Sequence, residues 1–255
     1  MFKMLKVVLS SLVSVMLLAT PVVATPASGP HVKFQKPLIT DVNVLFDRAE
    51  KGVTDLKDQN IVSRASIVSK ETGKKLDAKI YSTTQLNKVT EEANGEVVNT
   101  YATTTFAVAT PNDTLGTSTT QSYDGSNYNS KWDGSISVRA YSTVYWTYSS
   151  YGGLTFCNMA GQSLTGGWAV SDSTVSVSNR YFTVGQSGPG YTWFQDNESG
   201  NQYPSSLTYS YYVPSTWTPV QYVNGGLSSV GMHSYATLVR GGSSWNLTFD
   251  NYVCH

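Results

Sequence analysis

Carboxylates are scarce in the C-terminal part of this 255-residue chain, so their spacing is informative. Beyond residue 110 they are Asp113, Asp124, Asp133, Asp172, Asp196, Glu198 and Asp250. Glycoside hydrolysis uses two facing carboxyl groups, one protonated as acid and one ionised as base or nucleophile. Asp196 and Glu198 stand two residues apart in the run Trp193-Phe194-Gln195-Asp196-Asn197-Glu198-Ser199-Gly200, beside aromatics able to hold a sugar ring. On a strand that spacing puts both carboxyls on one face. The Asn-Glu-Ser-Gly context predicts a loop instead, and a solvated acidic turn accounts for the pair without catalysis. A second group, Asp124, Asn127, Asn129 and Asp133, offers four oxygen ligands of the kind calcium accepts in extracellular modules. Its spacing departs from the EF-hand loop, and Asp124-Gly125 and Asp133-Gly134 read as ordinary turn pairs.

Nucleophilic catalysis has little to work with. Gly161-Gln162-Ser163-Leu164-Thr165 and Gly185-Gln186-Ser187-Gly188-Pro189 each miss the last Gly of the Gly-x-Ser-x-Gly elbow. His233 is the sole His inside a β-type segment, and no third group that would orient it is legible. Its expected role is structural. No His pair at metal spacing, phosphate-cradling Gly loop or dinucleotide fingerprint occurs, so no cofactor is expected.

Aromatic side chains are the remaining resource. Tyr145, Trp146, Tyr148 and Tyr151 cluster in one stretch, and Tyr209, Tyr211, Tyr212 and Trp217 in another. Flat rings flanked by Ser, Thr and Asn suit recognition of a neutral sugar by stacking and short hydroxyl bonds. Tyr145, Tyr148, Tyr151, Tyr211 and Trp217 are the candidate ligand-binding residues. Strand alternation turns about half of such rings inward, so core packing is the competing role.

The elements that must carry these residues follow an export signal. Lys3 and Lys6 precede a mostly apolar run from Val7 to Thr20, too short to span a bilayer and suited to a signal peptide. Pro21 and the small residues up to Ala24 predict cleavage after Ala24, with no transmembrane segment in the mature chain. In an oxidising compartment the only two Cys, Cys157 and Cys254, should pair. The bond would close a 97-residue loop, worth about 4–5 kcal/mol by chain entropy alone.

Charge divides the rest. Residues 25–110 carry 21 charged side chains and residues 111–255 carry 11, while all six Trp and 15 of the 17 Tyr lie in the second stretch. The first stretch reads as an α+β module. An apolar stripe from Leu38 to Leu56 predicts a helix over 40–57, N-capped by Thr40 and weakened in its middle by Gly52. Strands are expected at 61–68, 76–86 and 97–108, with Asn94-Gly95 as a hairpin turn. Residues 111–131, rich in Ser, Thr, Asn and Gly, read as a linker. Residues 132–255 read as an antiparallel β-sandwich, immunoglobulin-like or jelly-roll-like, of about 8–10 strands in a mainly β protein. The even-numbered residues from Ile136 to Tyr148 should form one face of its first strand. Four Gly-Gly pairs, at 152, 166, 225 and 241, should mark turns.

The whole chain has 17 Lys+Arg against 17 Asp+Glu and is 13% charged, about half the usual share. That excludes a nucleic-acid binder working through a basic field. The expected protein is secreted and non-catalytic, acting in binding or surface assembly on an extracellular glycan or cell-surface component. A secreted glycan hydrolase using Asp196 and Glu198 is the alternative. A membrane-active β-pore, permitted by long low-charge strands, is a third.

Overall fold

In a computed structural model the chain is described over residues 29–56, 61–76, 78–109, 138–223 and 226–255. The proposed signal peptide, the linker, and the candidate ligands Asp124, Asn127, Asn129 and Asp133 lie outside the described residues.

Two antiparallel sheets form a sandwich, with one short helix on its outside. Sheet A contains β1 (His31–Gln35), β4 (Lys79–Glu91), β5 (Val97–Ala109), β6 (Val138–Tyr151), β7 (Leu154–Asn158), β8 (Ser163–Val170), β11 (Thr208–Tyr212) and β12 (Val220–Gln221). Sheet B runs β10 (Phe194–Glu198), β9 (Val175–Pro189), β13 (Ser229–Arg240), β14 (Ser243–Cys254), β2 (Val62–Ser69), β3 (Lys75–Leu76). The long β6 pairs with β5 on one side; its other side is shared by β8 near its start and β7 near its end.

Strands from before residue 110 complete both sheets. β5 pairs with β6 along its length, and β2 pairs with β14. Ile67, Tyr101, Ala107 and Ala109 sit in one core with Val138, Trp146, Leu247 and Phe249. The compositional break at residue 110 therefore runs through both sheets, not between two cores. Charge counts register how exposed a segment is, and strand pairing is blind to them.

The helix α1 spans Val42–Glu50. Asp41, one residue beyond the expected Thr40, supplies the N-cap: its Oδ1 accepts from the backbone N–H groups of Asn43 and Val44 at 2.8 and 3.2 Å. Gly52 ends the helix instead of weakening its middle. It adopts φ +65°, its N–H donates to Ala49, and the Val53 N–H donates to Arg48, which together make a Schellman cap. The segment before α1 is held by Gln85, whose side chain accepts from the Ile39 N–H at 2.9 Å and donates to the Ile39 carbonyl at 3.0 Å. Leu45, Ala49 and Phe46 then pack on Phe106, Tyr81 and Tyr141 on the outer face of sheet A.

β9 is a single strand from Val175 to Pro189, whose register with β13 shifts near Asn179, at φ 48°. One other expectation is revised. Gly166-Gly167 is no turn: it lies within β8, where a Cβ on Gly166 would stand 2.5 Å from the Tyr209 hydroxyl and one on Gly167 2.4 Å from the Leu207 carbonyl. Absent side chains there let β11 and the Tyr209 ring close over the strand.

Between the sheets lies a buried polar network centred on Asn251. Thr105 donates to its Oδ1 at 3.1 Å, and its Nδ2 donates to Ser142 Oγ at 2.8 Å. Thr103 accepts from Trp146 Nε1 at 3.0 Å and shares a hydroxyl bond with Thr84 at 3.0 Å. Satisfied in this way, hydroxyls can occupy an interior that would otherwise reject them. Cys157 of β7 and Cys254 of β14 are disulfide-bonded, which ties sheet A to sheet B. Among the described residues no helix is long and apolar enough to cross a membrane.

Candidate functional site

Asp196 and Glu198 lie on a strand, not in a loop. They belong to β10, the edge of sheet B, opposite Ser187 and Gly185 of β9. Period-2 spacing puts both on the outer face, where both are exposed. They project side by side from one strand, so neither faces the other across a substrate-wide gap. Beyond Glu198 the cross-strand row continues through Gly185 and Gly231 to Tyr252, leaving bare backbone between the carboxylate and the phenol. Burial raises the Tyr252 pKa; the nearby charges of Asp250 and Glu198 add to this and Arg64 opposes it.

The next row holds a pair that sequence reasoning missed. His233 Nδ1 lies 2.6 Å from Asp250 Oδ1, so the orienting group for His233 exists. The signal was present: His233 and Asp250 are opposite one another in the final hairpin, whose register its turn sets. Tyr181 and Tyr235 stack beside it at 5.0 Å and 16°. Among the described residues no Ser hydroxyl is hydrogen-bonded to His233, and no group of three His, Cys, Asp or Glu side chains could hold a metal. The pair can accept or relay a hydrogen bond to a ligand laid on this face; a nucleophile is not in place.

The five candidate aromatics do not converge. Tyr148, Tyr211 and Trp217 pack against the core, Tyr148 edge-on to Trp146 at 6.2 Å and Tyr211 edge-on to Phe182 at 6.3 Å. Tyr145 stands half-buried on the outer face of sheet A, opposite Ala102, and burial raises its hydroxyl pKa. Tyr209 of the same cluster is fully in the core, stacked on Phe182 at 4.2 Å.

Tyr151 is different. It sits at the tip of the β6–β7 hairpin, with 55% of its surface exposed. The β9–β10 hairpin of the other sheet reaches the same end of the sandwich. Its turn closes with the Gly190 N–H donating to the Trp193 carbonyl at 2.7 Å. Tyr191 from that turn lies 4.3 Å from the Phe156 ring and edge-on to Tyr151 at 6.5 Å. Tyr191, Trp193 and Phe194 are 56, 76 and 63% exposed. Two hairpins, one from each sheet, thus present four largely exposed aromatic rings at one end. A hairpin tip has no core within reach, so rings placed there stay in water unless a partner covers them.

The electrostatics at this tip are simple. Tyr191 has a raised pKa, chiefly from burial and then from Glu96 in the β4–β5 turn and from Tyr151. The turns at 92–97, 149–155 and 188–195 contain no Lys or Arg. The surface is aromatic and neutral to weakly acidic, which suits a neutral ligand and disfavours a polyanion. Tyr191 is findable in the sequence from Gly188-Pro189-Gly190, a turn signature followed by three rings within four residues; Trp193 and Phe194 also flank the acidic pair. Comparison with protein-family models, with curated proteins and with solved structures finds no match to this chain.

Proposed function

We propose that the chain is an exported, non-catalytic binding protein, released by cleavage after Ala24, that takes a neutral glycan on the aromatic tip formed by Tyr151, Tyr191, Trp193 and Phe194. The observation that carries this reading is the exposure of four rings where two hairpins meet, with no Lys or Arg in either turn. Rings of this kind cover the apolar faces of sugars, while the Ser, Thr and Gln groups around them offer hydrogen bonds. Loops at one end of a sandwich are well placed for recognition because the sheets hold them rigidly. The disulfide close to this end fits an oxidising compartment.

A hydrolase using Asp196 and Glu198 is disfavoured by their side-by-side placement on an open edge strand, because hydrolysis needs carboxyls on both sides of the scissile bond. The test is retention of the purified protein on insoluble neutral polysaccharides, cellulose and chitin among them. Binding that is abolished in Trp193→Ala and Tyr191→Ala but kept in Asp196→Asn with Glu198→Gln supports the reading. Reducing-sugar release by the native protein, lost in the acid variant, would replace it with the hydrolase.

A further inference from the structure

A third hairpin reaches the aromatic tip. The β5–β6 register pairs Val98 with Ser149; carried two residues on, it brings Glu96 of the β4–β5 turn beside Tyr151. The backbone of Glu96 is fixed on both sides. Its N–H donates to Asn94 Oδ1 at 3.0 Å, and its carbonyl accepts from the Glu92 N–H at 2.8 Å. On the β9–β10 hairpin, strand alternation puts Asp196 on the same face as Phe194, two residues along. We propose that the tip selects, among glycans, chains of amino sugars whose amines are free, with Glu96 and Asp196 receiving the ammonium groups. This rests on the glycan reading of the tip and names the substrate class that it takes.

Rings and carboxylates have different roles on such a ligand. A sugar ring lays its apolar C–H face on the exposed aromatics, and in an amino sugar its rim carries a positive charge. An aromatic face attracts a neighbouring cation as well. The charge of Glu96 reaches the tip: after burial, it is the next cause of the raised Tyr191 pKa. Among the described residues neither Glu96 nor Asp196 forms an ion pair, so a ligand ammonium displaces no internal partner. The absence of Lys and Arg from the three turns spares it repulsion. Glu96 is half-buried and Asp196 exposed, so both are rim contacts: they tune selectivity, while the rings supply affinity. An anionic glycan meets two like charges and is rejected.

The experiment is an isothermal titration comparing the glucosamine hexamer of chitosan with the N-acetylglucosamine hexamer of chitin. It is run at about pH 5.5, where amines hold their proton. The native protein should bind the free-amine hexamer about three- to tenfold more tightly, the worth of two exposed ion pairs, and added salt should narrow the difference. In Glu96→Gln with Asp196→Asn the two affinities should become equal. Their ratio is the readout, because a variant that only loosens the tip weakens both hexamers alike. Trp193→Ala should bind neither. Equal affinities in the native protein, a preference kept in the acid variant, or free-amine binding that survives Trp193→Ala would overturn the inference. Binding of neither hexamer by the native protein would overturn it too. Retention of that protein on cellulose would then leave the glycan reading standing, and retention on no neutral polysaccharide would remove both.

Discussion

Sheet A lies between two layers, and sheet B between one layer and water. The contrast shows in two strands that face each other across the core. β5 is buried without interruption from Tyr101 to Ala109, because its odd-numbered side chains meet sheet B while Phe106, between them, meets α1. β14 alternates: Trp245, Leu247, Phe249, Asn251 and Val253 are buried, and Asn246, Thr248, Asp250 and Tyr252 between them are not. A strand covered on both faces loses the period-2 signature, and a strand covered on one keeps it. Side chains on the covered face of A stabilise the fold. Those on the open face of B and on the hairpin tips are available to bind.

Substitutions across this contrast should fall in a definite order. Phe106→Ala removes a ring with no exposed surface from beneath α1 and should cost about 3–5 kcal/mol, measured by denaturant unfolding. A cost below about 1 kcal/mol would mean that α1 adds little and that A is in effect open too. Replacing Cys157 and Cys254 together by Ser should cost about 2–5 kcal/mol, read the same way, because the bond joins the two sheets. On the open face of B, Tyr235→Ala loses a cross-strand stack with Tyr181 and should cost about 1 kcal/mol or less.

The pH dependence sharpens the same contrast on the side of sheet A. Burial pushes the Asp55 carboxyl up, but a hydrogen bond from Lys36 and the Leu86 N–H, with the charges of Lys36 and Arg48, hold it below its ordinary value of 3.8. A depressed folded-state pKa contributes stability that is present above the unfolded value and lost as pH falls through the folded one. Stability should therefore decline as pH drops below about 4, and Asp55→Asn should show a shallower acid limb in a pH series of melting temperatures. An unchanged acid limb would remove Asp55 from that account.

Legibility of the sequence followed the same division. β14, β13 and β6 were readable because one face of each is wet or half-wet and alternation survives; the even-numbered residues from Val138 to Trp146 are indeed the inner face. The disulfide pair was legible from the count of two Cys together with the expected export signal. The helix end was misread because an apolar stripe runs on past Gly52, and only the positive φ there stops it. Gly166-Gly167 was misread because Gly serves both turns and close approaches, and the ring of Tyr209 that needs the space comes from a strand more than forty residues later. The convergence of Tyr151 with Tyr191 was hidden for the same reason: it depends on how two sheets stack, which no local pattern encodes. The shared core between early and late strands was hidden because pairing of β2 with β14 spans most of the chain.

Binding at the hairpin tip should be separable from stability in the sheets. Isothermal titration with whichever glycan retains the native protein, run alongside denaturant unfolding, tests it on Trp193→Ala and Tyr235→Ala together. Trp193→Ala should lose measurable binding while its unfolding free energy stays within about 0.5 kcal/mol of native, and Tyr235→Ala should bind as native while losing stability. Native affinity in Trp193→Ala, or lost affinity in Tyr235→Ala alone, would move the binding surface from the tip to the open face of sheet B.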